Sequence, residues 1–488
     1  MNYRDTDLDE IGVVMENAAA AFVQYRKVIP EQKALFLEAI AEEIEALGDE
    51  LLHVAAGETN LPLPRLLGER GRTAYQLRMF ATMVREGSWV DATIDKAKPD
   101  RSPVPKPDIR QMLQPLGPVV VFGASNFPFA YSTAGGDTAS ALAAGCSVVI
   151  KCHPAHAETS TKVFEAIKKA AGRTNLPANV VQHVYGAAAS AGEALVKHPA
   201  TAAVGFTGSY AGGTALYQHA QQRKSPIPVF SEMGSVNPAI FLPDTLIRNA
   251  ASLAVMYAQS ITQGMGQFCT NPGLMIALDD EGTSSFLNFL SLEIGNVAPA
   301  KMLHEGIKRS YYERMEKAMS QSGVMVVKKS DIVPVEMEGL PVVMTANGET
   351  FLKNPYLHEE VFGPYSLMVK CKDIAELKMV WKSLLGQLTT SLMGTAKDFE
   401  DHPELVEIAE SIAGRIVFNS VPTGVDVCES MVHSGPFPAC TDSRYTAVGI
   451  HAVKRWVRPV CYQGCPDELL PAELKESNPL NIRRKVNE

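Results

Sequence analysis

The chain has 488 residues, 46% of them hydrophobic, and a formal net charge of −9 at pH 7. This length predicts about two to four domains, and the acidity argues against nonspecific binding to nucleic acid or to anionic membranes. No run reaches the roughly 18 uninterrupted apolar residues that a membrane-spanning helix requires. We therefore expect a globular protein that binds neither nucleic acid nor membrane.

The eight cysteines are dispersed along the chain, which does not indicate a disulfide framework. The closest pair, Cys461 and Cys465, has no second pair with which to complete a zinc site. The first residues, MNYRD, lack an apolar signal core. These features favour an enzyme of the reducing cytoplasm, and we predict no metal site.

The first part of the chain, to about residue 90, is predicted to be helical. One helix begins at Pro30, which suits a first helical position, and ends near Gly48. Another helical pattern runs from about Leu66 to Arg85. The proline-rich residues 97–109 predict a linker or an extended arm, because proline fits neither a helix interior nor a central strand.

From Pro118 onward the pattern alternates between strands and helices. Short apolar runs typical of buried parallel strands are separated by helical patterns. The predicted strands are 119–122, 147–150, 180–184 and 202–206, and the predicted helices are 135–144, 159–172 and 189–197. This order predicts a doubly wound α/β sheet with a nucleotide crevice at the carboxyl ends of its strands.

A second β/α region follows Glu232 and runs to about residue 430. Its strand candidates are 239–242, 273–277, 324–327, 340–344 and 365–370, and residues 402–413 form a helical pattern that leads to 415–419. The apolar residues of 455–460 favour an edge strand or a contact between subunits.

Residues 264–270 read GMGQFCT and follow an apolar, helix-like run at 251–261. Glycines before Cys269 allow a substrate carbonyl, or backbone donors for its oxygen, to approach the sulfur closely. Cys269 is therefore a candidate covalent nucleophile. The alternative is a buried cysteine that acts as a small hydrophobe.

Further polar residues follow predicted strands. Asn126 is placed to donate to a developing oxyanion, or it serves turn chemistry. Lys151 suits a ribose hydroxyl or a phosphate, or it is a solvated surface group. His153 and His156 lie nearby without an acidic or cysteine partner motif, so they do not change the prediction of no metal.

Three more stretches carry possible chemistry. Residues 205–209 read GFTGS before a helix and are able to approach a pyrophosphate, although they do not match GxGxxG. Glu232 stands in an apolar, glycine-bearing turn, where burial would make it a better general base; the alternative is a capping or surface carboxylate. Residues 359–364, EEVFGP, place carboxylates beside an aromatic side chain, or form an ordinary acidic turn.

Four of these motifs occur in the order found in the aldehyde dehydrogenase superfamily, which the sequence resembles over nearly its whole length. They are FTGS at 206–209, EMG at 232–234, GQFCT at 266–270 and EVFGP at 360–364. The resemblance implies a Cys269 nucleophile, a Glu232 general base, and an oxyanion held by Asn126 and the Cys269 N–H. It also implies that a nicotinamide cofactor binds at the following residues: Lys151, Pro154, Phe206, Thr207, Gly208, Ser209, Glu360 and Phe362.

The same resemblance implies an α/β fold with a Rossmann-type cofactor domain, an α/β catalytic domain and a bridging or oligomerisation arm. We assign residues 1–96 and 116–233 to the cofactor domain and 234–434 to the catalytic domain. The bridging segments are 97–115 and 455–488. A homodimer or homotetramer is expected.

Finer features resemble the 2,5-dioxovalerate (α-ketoglutarate semialdehyde) dehydrogenase branch, which also contains a bacterial long-chain fatty aldehyde dehydrogenase. They lie at 122–128, 134–146 and 419–425. The chain departs from the common family pattern at 435–439, GPFPA, where many members have a Pro-Phe-Gly-Gly motif. Substrate contacts therefore do not carry over from ordinary members there.

Pro154 stands where many NAD-preferring relatives carry a glutamate that holds the ribose hydroxyls. That glutamate would repel a 2′-phosphate, so its replacement predicts that NADP is accepted and preferred over NAD. The alternative is that Pro154 is only a turn residue and both cofactors bind.

Arg444 is the sequence candidate for binding the distal carboxylate of a short oxo-acid aldehyde, since a guanidinium holds a carboxylate in bidentate geometry. The alternative is a solvated surface arginine. Phe127, Phe129 and Tyr131 are candidates for the substrate tunnel, although core packing explains them equally well.

The resulting hypothesis is NAD(P)-dependent oxidation of 2,5-dioxovalerate to 2-oxoglutarate through a Cys269 thiohemiacetal and thioester. A fatty or general aliphatic aldehyde is the alternative substrate. Transfer of the acyl group to coenzyme A is a different reaction, against which Glu232 argues because a general base there favours hydrolysis. A non-catalytic relative is the remaining alternative, and the joint presence of Cys269, Asn126 and Glu232 argues against it.

Overall fold

The computed structural model describes residues 3–487; the predicted domain ranges also include residues 1, 2 and 488, which lie outside the described part. Its α-helices are α1 (Leu8–Tyr25), α2 (Pro30–Ala46), α3 (Gly48–Thr59), α4 (Leu63–Glu86), α5 (Gly136–Ala144), α6 (Ala157–Arg173), α7 (Ala189–Lys197), α8 (Tyr210–Gln221), α9 (Pro243–Thr262), α10 (Glu281–Asn296), α11 (Glu305–Met319), α12 (Gly348–Lys353), α13 (Ile374–Lys382), α14 (Ala396–Asp401) and α15 (Leu405–Ile412).

The strands form four sheets within the described residues. They are β1 (Thr93–Asp95), β2 (Ile109–Pro115), β3 (Val119–Phe122), β4 (Val148–Lys151), β5 (Val181–Val184), β6 (Ala203–Thr207), β7 (Val229–Glu232), β8 (Ala239–Phe241), β9 (Leu274–Leu278), β10 (Ala300–Lys301), β11 (Met325–Lys329), β12 (Glu338–Gly339), β13 (Val342–Asn347), β14 (Tyr365–Cys371), β15 (Gln387–Met393), β16 (Ala413–Phe418), β17 (Val457–Gln463) and β18 (Lys485–Asn487).

The first large sheet has five parallel strands in the order β5-β4-β3-β6-β7. Alternate residues of β3 enter different cores: Val119 and Val121 pack with α2, α5 and α6, whereas Val120 and Phe122 pack with α1, α7 and α8. Because both faces are covered by helices, the central strands carry apolar runs, VVVF in β3 and VVI in β4. This confirms the predicted doubly wound sheet.

The second large sheet has seven strands in the order β11-β13-β14-β9-β8-β15-β16, and β11 alone pairs antiparallel to its neighbour. It is also buried on both faces: Ile240 and Leu242 pack on one side and Ala239 and Phe241 on the other. The predicted strands of this region are present, but β15 was not predicted from the sequence. A small antiparallel pair of β10 and β12 lies apart from it.

The third sheet joins distant parts of the chain in the order β17-β2-β1-β18. β2 follows the proline-rich segment and pairs along seven residues with β17. Arg455 and Trp456 precede this sheet and are buried against the cofactor domain, where the Trp456 ring meets Phe230 edge-on at 5.3 Å. The separate sheet therefore begins at Val457, and its role between subunits stays a prediction.

Across the part of the chain that the structure describes, no helix is both long enough and apolar enough to cross a membrane.

Candidate active site

Parallel strands bring their carboxyl ends to one edge of the cofactor sheet, and the predicted site residues lie there. Asn126 follows β3, Lys151 ends β4, Thr207 ends β6 and Glu232 ends β7. β3 and β6 are neighbours although α5, β4, α6, β5 and α7 lie between them in sequence. The strand order reverses between these two strands, and such a reversal opens a crevice for a ligand.

Cys269 approaches this edge on a loop with left-handed backbone. Gly264, Met265 and Gly266 follow the end of α9 with φ of 54°, 54° and 62°. A Cβ on Gly266 would overlap the carbonyl oxygen of Gly363. The glycine therefore lets the cysteine loop pack against the turn that carries Glu360. The close approach of a substrate carbonyl to the sulfur stays a prediction.

Cys269, Glu232 and His433 form a compact cluster. The Sγ atom of Cys269 lies 3.5 Å from Nε2 of His433, and the same nitrogen lies 3.0 Å from Oε1 of Glu232. Glu232 and His433 are buried, at 4% and 1% exposure. The nucleophile predicted from the sequence thus has two acid–base groups within reach, one of which was not predicted.

Burial and neighbouring charges set the protonation of the cluster. Burial raises the pKa of the Cys269 thiol well above 9.0, and the Glu232 and Glu360 carboxylates add to this effect. Burial acts in the same upward direction on Glu232, but the His433 ring and the hydrogen bonds from His433 and Cys269 outweigh it and lower the pKa of that carboxyl group. Glu232 is therefore ionised beside a protonated thiol, which suits a proton acceptor for that thiol.

The predicted oxyanion donor is held beside the cysteine loop. Nδ2 of Asn126 donates to the Gln267 carbonyl over 3.2 Å, and Asn126 is 9% exposed. On the other side of the loop, Nδ2 of Asn237 donates to the Cys269 carbonyl over 2.8 Å and to that of Asn271 over 2.9 Å. These bonds fix the cysteine backbone in the position from which its N–H would share the oxyanion with Asn126.

The chain returns to the cofactor domain after residue 433 and closes the site from the other side. Cys440 forms an isolated antiparallel bridge with Glu232. The N–H of Met233 donates to Ala439 over 2.8 Å, and that of Ser231 donates to Oγ1 of Thr441 over 2.9 Å. The backbone on both sides of the general base is thereby tied to the divergent stretch that begins at residue 435.

Several predicted cofactor residues are consistent with a dinucleotide. Lys151 is partly buried, which lowers its pKa, and no ion pair to it is found within residues 3–487. Ser209 caps α8 by accepting the N–H of Gly212, so the positive end of a 12-residue helix faces the strand edge. Gly208 leaves no space for a side chain, because a Cβ would meet the Phe206 ring at 2.7 Å. A free cation and a helix N-terminus are what the phosphates of a dinucleotide require.

The EVFGP turn meets the catalytic residues from the other domain. Glu360 accepts a long hydrogen bond of 3.5 Å from the N–H of Ser235, and burial raises its pKa to about 7. Phe362 and Gly266 line the same small cavity. Pro154, by contrast, is exposed at the start of a short 3-10 helix.

The predicted substrate residues are not all brought to the site. Phe127 contacts the Phe268 ring edge-on at 5.7 Å, beside the nucleophile loop. Phe129 is 1% exposed, lies in the core, and donates its N–H to Glu69 over 2.8 Å. Arg444 is an exposed residue whose guanidinium binds Asp442 through two hydrogen bonds of 2.8 and 2.6 Å. The structure does not place Arg444 near Cys269.

His433 and Asn237 are the site residues that the sequence did not reveal. His433 lies in MVHSGPFP, without a strand end or glycine turn to mark it, and 164 residues separate it from Cys269. Asn237 was visible in the SEMGSVNP motif, but only its positive φ of 47° and its contacts show that it holds the cysteine loop.

The cluster also has the composition of a metal site. The donor atoms of Glu232, Cys269 and His433 lie within 4.8 Å of one another. Each of these groups is already used in the hydrogen bonds described above, and a metal bound to Sγ would occupy the nucleophile. We assign the cluster to acid–base and covalent chemistry.

Comparison with known proteins identifies the family of the chain. A sequence model of the aldehyde dehydrogenase family matches residues 1–395. The chain is 46% identical over 469 residues to alpha-ketoglutaric semialdehyde dehydrogenase 2 of Azospirillum brasilense, covering 96% of this chain and 89% of the relative. It is 43% identical over 486 residues to alpha-ketoglutaric semialdehyde dehydrogenase of Acinetobacter baylyi, covering 99% and 92%.

Solved structures share the fold at low sequence identity. A 1-pyrroline-5-carboxylate dehydrogenase has a TM-score of 0.78 at 20% identity, with 94% of this chain and 86% of the other covered. A 3,6-anhydro-L-galactose dehydrogenase in complex with NAP has a TM-score of 0.79 at 20% identity, with 94% and 92% covered. The chain belongs to the aldehyde dehydrogenase family, and it is an aldehyde-oxidising oxidoreductase that uses a nicotinamide cofactor.

Proposed function

We propose that this chain oxidises 2,5-dioxovalerate (α-ketoglutarate semialdehyde) to 2-oxoglutarate. The observation that carries the proposal is the cluster of Cys269, His433 and Glu232 beside Asn126. Two relatives at 46% and 43% identity that are named for this substrate support the choice of aldehyde.

The first half of the reaction makes a carbon–sulfur bond. The Cys269 thiol gives its proton to the pair formed by Glu232 and His433, and the sulfur attacks the aldehyde carbon. The resulting oxyanion accepts hydrogen bonds from Nδ2 of Asn126 and from the Cys269 N–H. The nicotinamide, when bound, supplies the acceptor for the hydride that leaves the thiohemiacetal carbon, so that carbon becomes a thioester.

The second half breaks the same bond. Glu232 takes a proton from water, the hydroxide adds to the thioester carbon, and Asn126 again holds the oxyanion. The carbon–sulfur bond then breaks, and the Cys269 thiolate takes back one of the two protons that Glu232 and His433 have accepted. The carboxylic acid leaves and the second proton is released to solvent. Because Glu232 is buried and ionised at the nucleophile, hydrolysis is favoured over transfer to coenzyme A.

The cofactor would be held at the strand edge described above. Lys151 and the N-terminus of α8 are suited to its ribose and phosphate groups, and Glu360 and Phe362 are suited to its nicotinamide half. NADP is the proposed preferred form, since Pro154 supplies no carboxylate to repel a 2′-phosphate. Pro154→Glu should lower the ratio of kcat/KM for NADP over NAD at least tenfold; a wild-type ratio below one would contradict the preference.

One experiment tests the substrate. Steady-state kcat/KM is measured with both cofactors on 2,5-dioxovalerate, pentanal and decanal, which separate the oxo-acid end from chain length. We expect 2,5-dioxovalerate to exceed both alkanals by at least tenfold. If kcat/KM instead rises from pentanal to decanal and exceeds the value for 2,5-dioxovalerate, the chain is a fatty aldehyde dehydrogenase. If turnover depends on coenzyme A, the reaction is an acyl transfer.

A further inference from the structure

Three partly buried arginines surround the nucleophile region without a carboxylate bound to them. Arg65 and Arg72 lie on α4 and Arg415 on β16, and no ion pair within 4.0 Å is found for them in residues 3–487. Each has a buried nitrogen without a hydrogen-bond partner, namely Nη1 of Arg65, Nε of Arg72 and Nε of Arg415. Because an unsatisfied buried donor destabilises the fold, each one requires an explanation.

Arg65 is explained by the loop it holds. Its Nη2 donates to the Asn126 carbonyl over 2.7 Å, and its guanidinium lies between the rings of Phe127 and Phe268 at 4.8 and 4.7 Å. Arg65 therefore ties the predicted oxyanion donor to the residue before Cys269.

Arg415 is partly explained in the same way. Its Nη1 donates to the Gly424 carbonyl over 2.8 Å and its Nη2 donates to the Pro422 carbonyl, which anchors the loop after β16. Burial lowers the pKa of Arg415, and the charges of Cys269, Tyr131 and Asp426 oppose that effect. The Arg415 charge thus acts in the region of the nucleophile while both terminal nitrogens are in use.

Arg72 has no comparable structural role. Within the described residues its side-chain hydrogen bonding is limited to one long contact, 3.4 Å from Nη2 to the Tyr131 hydroxyl. Its guanidinium also lies 5.7 Å from the centre of the Tyr131 ring. The edge of the guanidinium formed by Nε and Nη2 is the edge that binds a carboxylate in bidentate geometry.

Tyr131 connects Arg72 to the chemistry. Its ring centre lies 6.2 Å from that of His433, whose Nε2 is 3.5 Å from the Cys269 sulfur. Burial raises the pKa of Tyr131, so the hydroxyl stays protonated. Since its oxygen accepts from Arg72, its hydrogen remains available to an acceptor.

The neighbouring carboxylate of Glu69 forms no ion pair with Arg72. Glu69 is buried on the same helix, and its Oε1 accepts the N–H groups of Phe129 and Ala130 over 2.8 and 3.0 Å. Burial raises the pKa of the Glu69 carboxyl group, and the positive charges of Arg65 and Arg72 act in the opposite direction. Glu69 thus anchors the backbone after Asn126.

We propose that Arg72 and the Tyr131 hydroxyl bind the distal carboxylate of an oxo-acid aldehyde. The inference rests on the proposed function and names the residues that would select that substrate class. Four carbon–carbon bonds separate the aldehyde and carboxylate carbons of 2,5-dioxovalerate, a span of about 5 Å when extended. Tyr131 lies between His433 and Arg72: its ring centre is 6.2 Å from that of His433, and its hydroxyl is 3.4 Å from Nη2 of Arg72.

The test compares Arg72→Gln, Tyr131→Phe and Arg444→Gln with wild type. kcat/KM is measured for 2,5-dioxovalerate, for 5-oxopentanoate, which keeps the carboxylate without the keto group, and for pentanal, which lacks both. Arg72→Gln should lower kcat/KM for the two acid substrates about 100-fold, mainly through a higher KM. It should lower kcat/KM for pentanal less than threefold. Tyr131→Phe should lower kcat/KM for the two acid substrates about tenfold. Arg78→Gln is the matched control, because Arg78 is an exposed residue of the same helix that pairs with Glu45.

The outcomes separate this inference from the proposed function. If Arg72→Gln loses as much kcat/KM for pentanal as for the two acids, the inference is overturned. A loss of kcat/KM in Arg444→Gln that is selective for the acids would overturn it as well. A wild type without preference for acids over pentanal would overturn the proposed function first. If Arg72→Gln does not fold, Arg72→Lys decides: it keeps the charge but not the fork, and a selective loss for the acids of about tenfold would support the assignment, whereas an unchanged acid-to-pentanal ratio would reject it.

Discussion

A single histidine gives the nucleophile and the general base a shared partner. Nε2 of His433 lies within hydrogen-bonding distance of both Cys269 and Glu232, and the ring is almost fully buried. The proton that leaves the Cys269 thiol is therefore accepted by groups inside the protein rather than by water.

Replacing this histidine should impair formation of the covalent intermediate. His433→Gln keeps a donor to Glu232 but removes the basic ring, so kcat/KM should fall about 100-fold. Stopped-flow measurement of the first turnover checks this, because the loss should appear in the acylation burst. His451→Gln is the control, since His451 is exposed; a loss in His433→Gln of less than threefold would contradict the role.

The raised pKa of Cys269 predicts a pH dependence. Only the thiolate reacts, and below the pKa its fraction rises tenfold per pH unit. Since burial and the Glu232 charge raise this pKa well above 9.0, alkylation of Cys269 by iodoacetamide in cofactor-free enzyme should accelerate from neutral pH to pH 9 without a plateau. Glu232→Gln removes a negative neighbour and should move the profile to lower pH. A plateau below neutral pH in wild type would contradict the assignment.

At the scale of elements, the cysteine loop shows that a motif can carry a steric constraint that its own residues do not reveal. The sequence identified the glycines around Cys269 and its resemblance to family members, but the steric demand on Gly266 comes from Gly363, a residue of another strand connection. No local pattern contains that contact. The doubly wound sheet was predictable because short apolar runs, such as VVVF in β3 and VVI in β4, alternate with helical patterns.

Strand β15 was missed because its polar residues are buried. It reads QLTTSLM, which does not alternate and lacks a long apolar run. Two of its three hydroxyl groups have partners next to the site: Thr389 donates to Oδ1 of Asn237 over 2.9 Å, and Thr390 donates to the Pro238 carbonyl over 3.0 Å. When residues distant in sequence supply the hydrogen-bond partners of a buried polar strand, the periodicity of its own sequence does not identify it.

Gly266→Ala should be severely damaging. The new Cβ would overlap Gly363 in a backbone of φ 62°, so either the loop or the EVFGP turn must move. We expect a loss of stability of about 2 kcal/mol or more and at least a 100-fold lower kcat. Thermal unfolding and kinetics check both values. Gly172→Ala is the control, because its Cβ in α6 meets nothing within 4 Å and should leave stability unchanged or increase it.

At the scale of the whole molecule, three of the four sheets correspond to the predicted cofactor domain, catalytic domain and bridging arm. The third sheet, β17-β2-β1-β18, ends in β17, which pairs with β2 on one side only and whose residues are exposed or partly exposed. An unpaired edge of this length is usually covered in a native protein.

This edge supports the prediction of a homodimer or homotetramer. Light scattering should give a mass of two or four copies of the 52.8 kDa chain. Deletion of 457–488 should reduce that mass by dissociation as well as by the residues removed. A wild-type mass of one chain at micromolar concentration would contradict the prediction.

The return of the chain from residue 433 to 441 has a consequence for biosynthesis. Glu232 and Cys269 leave the ribosome long before His433 and the backbone of Ala439 that ties the general base in place. A nascent chain that ends before these residues has its thiol but neither the histidine nor the Ala439 backbone that holds the general base. Catalytic competence therefore arises late, because His433 is synthesised 164 residues after Cys269.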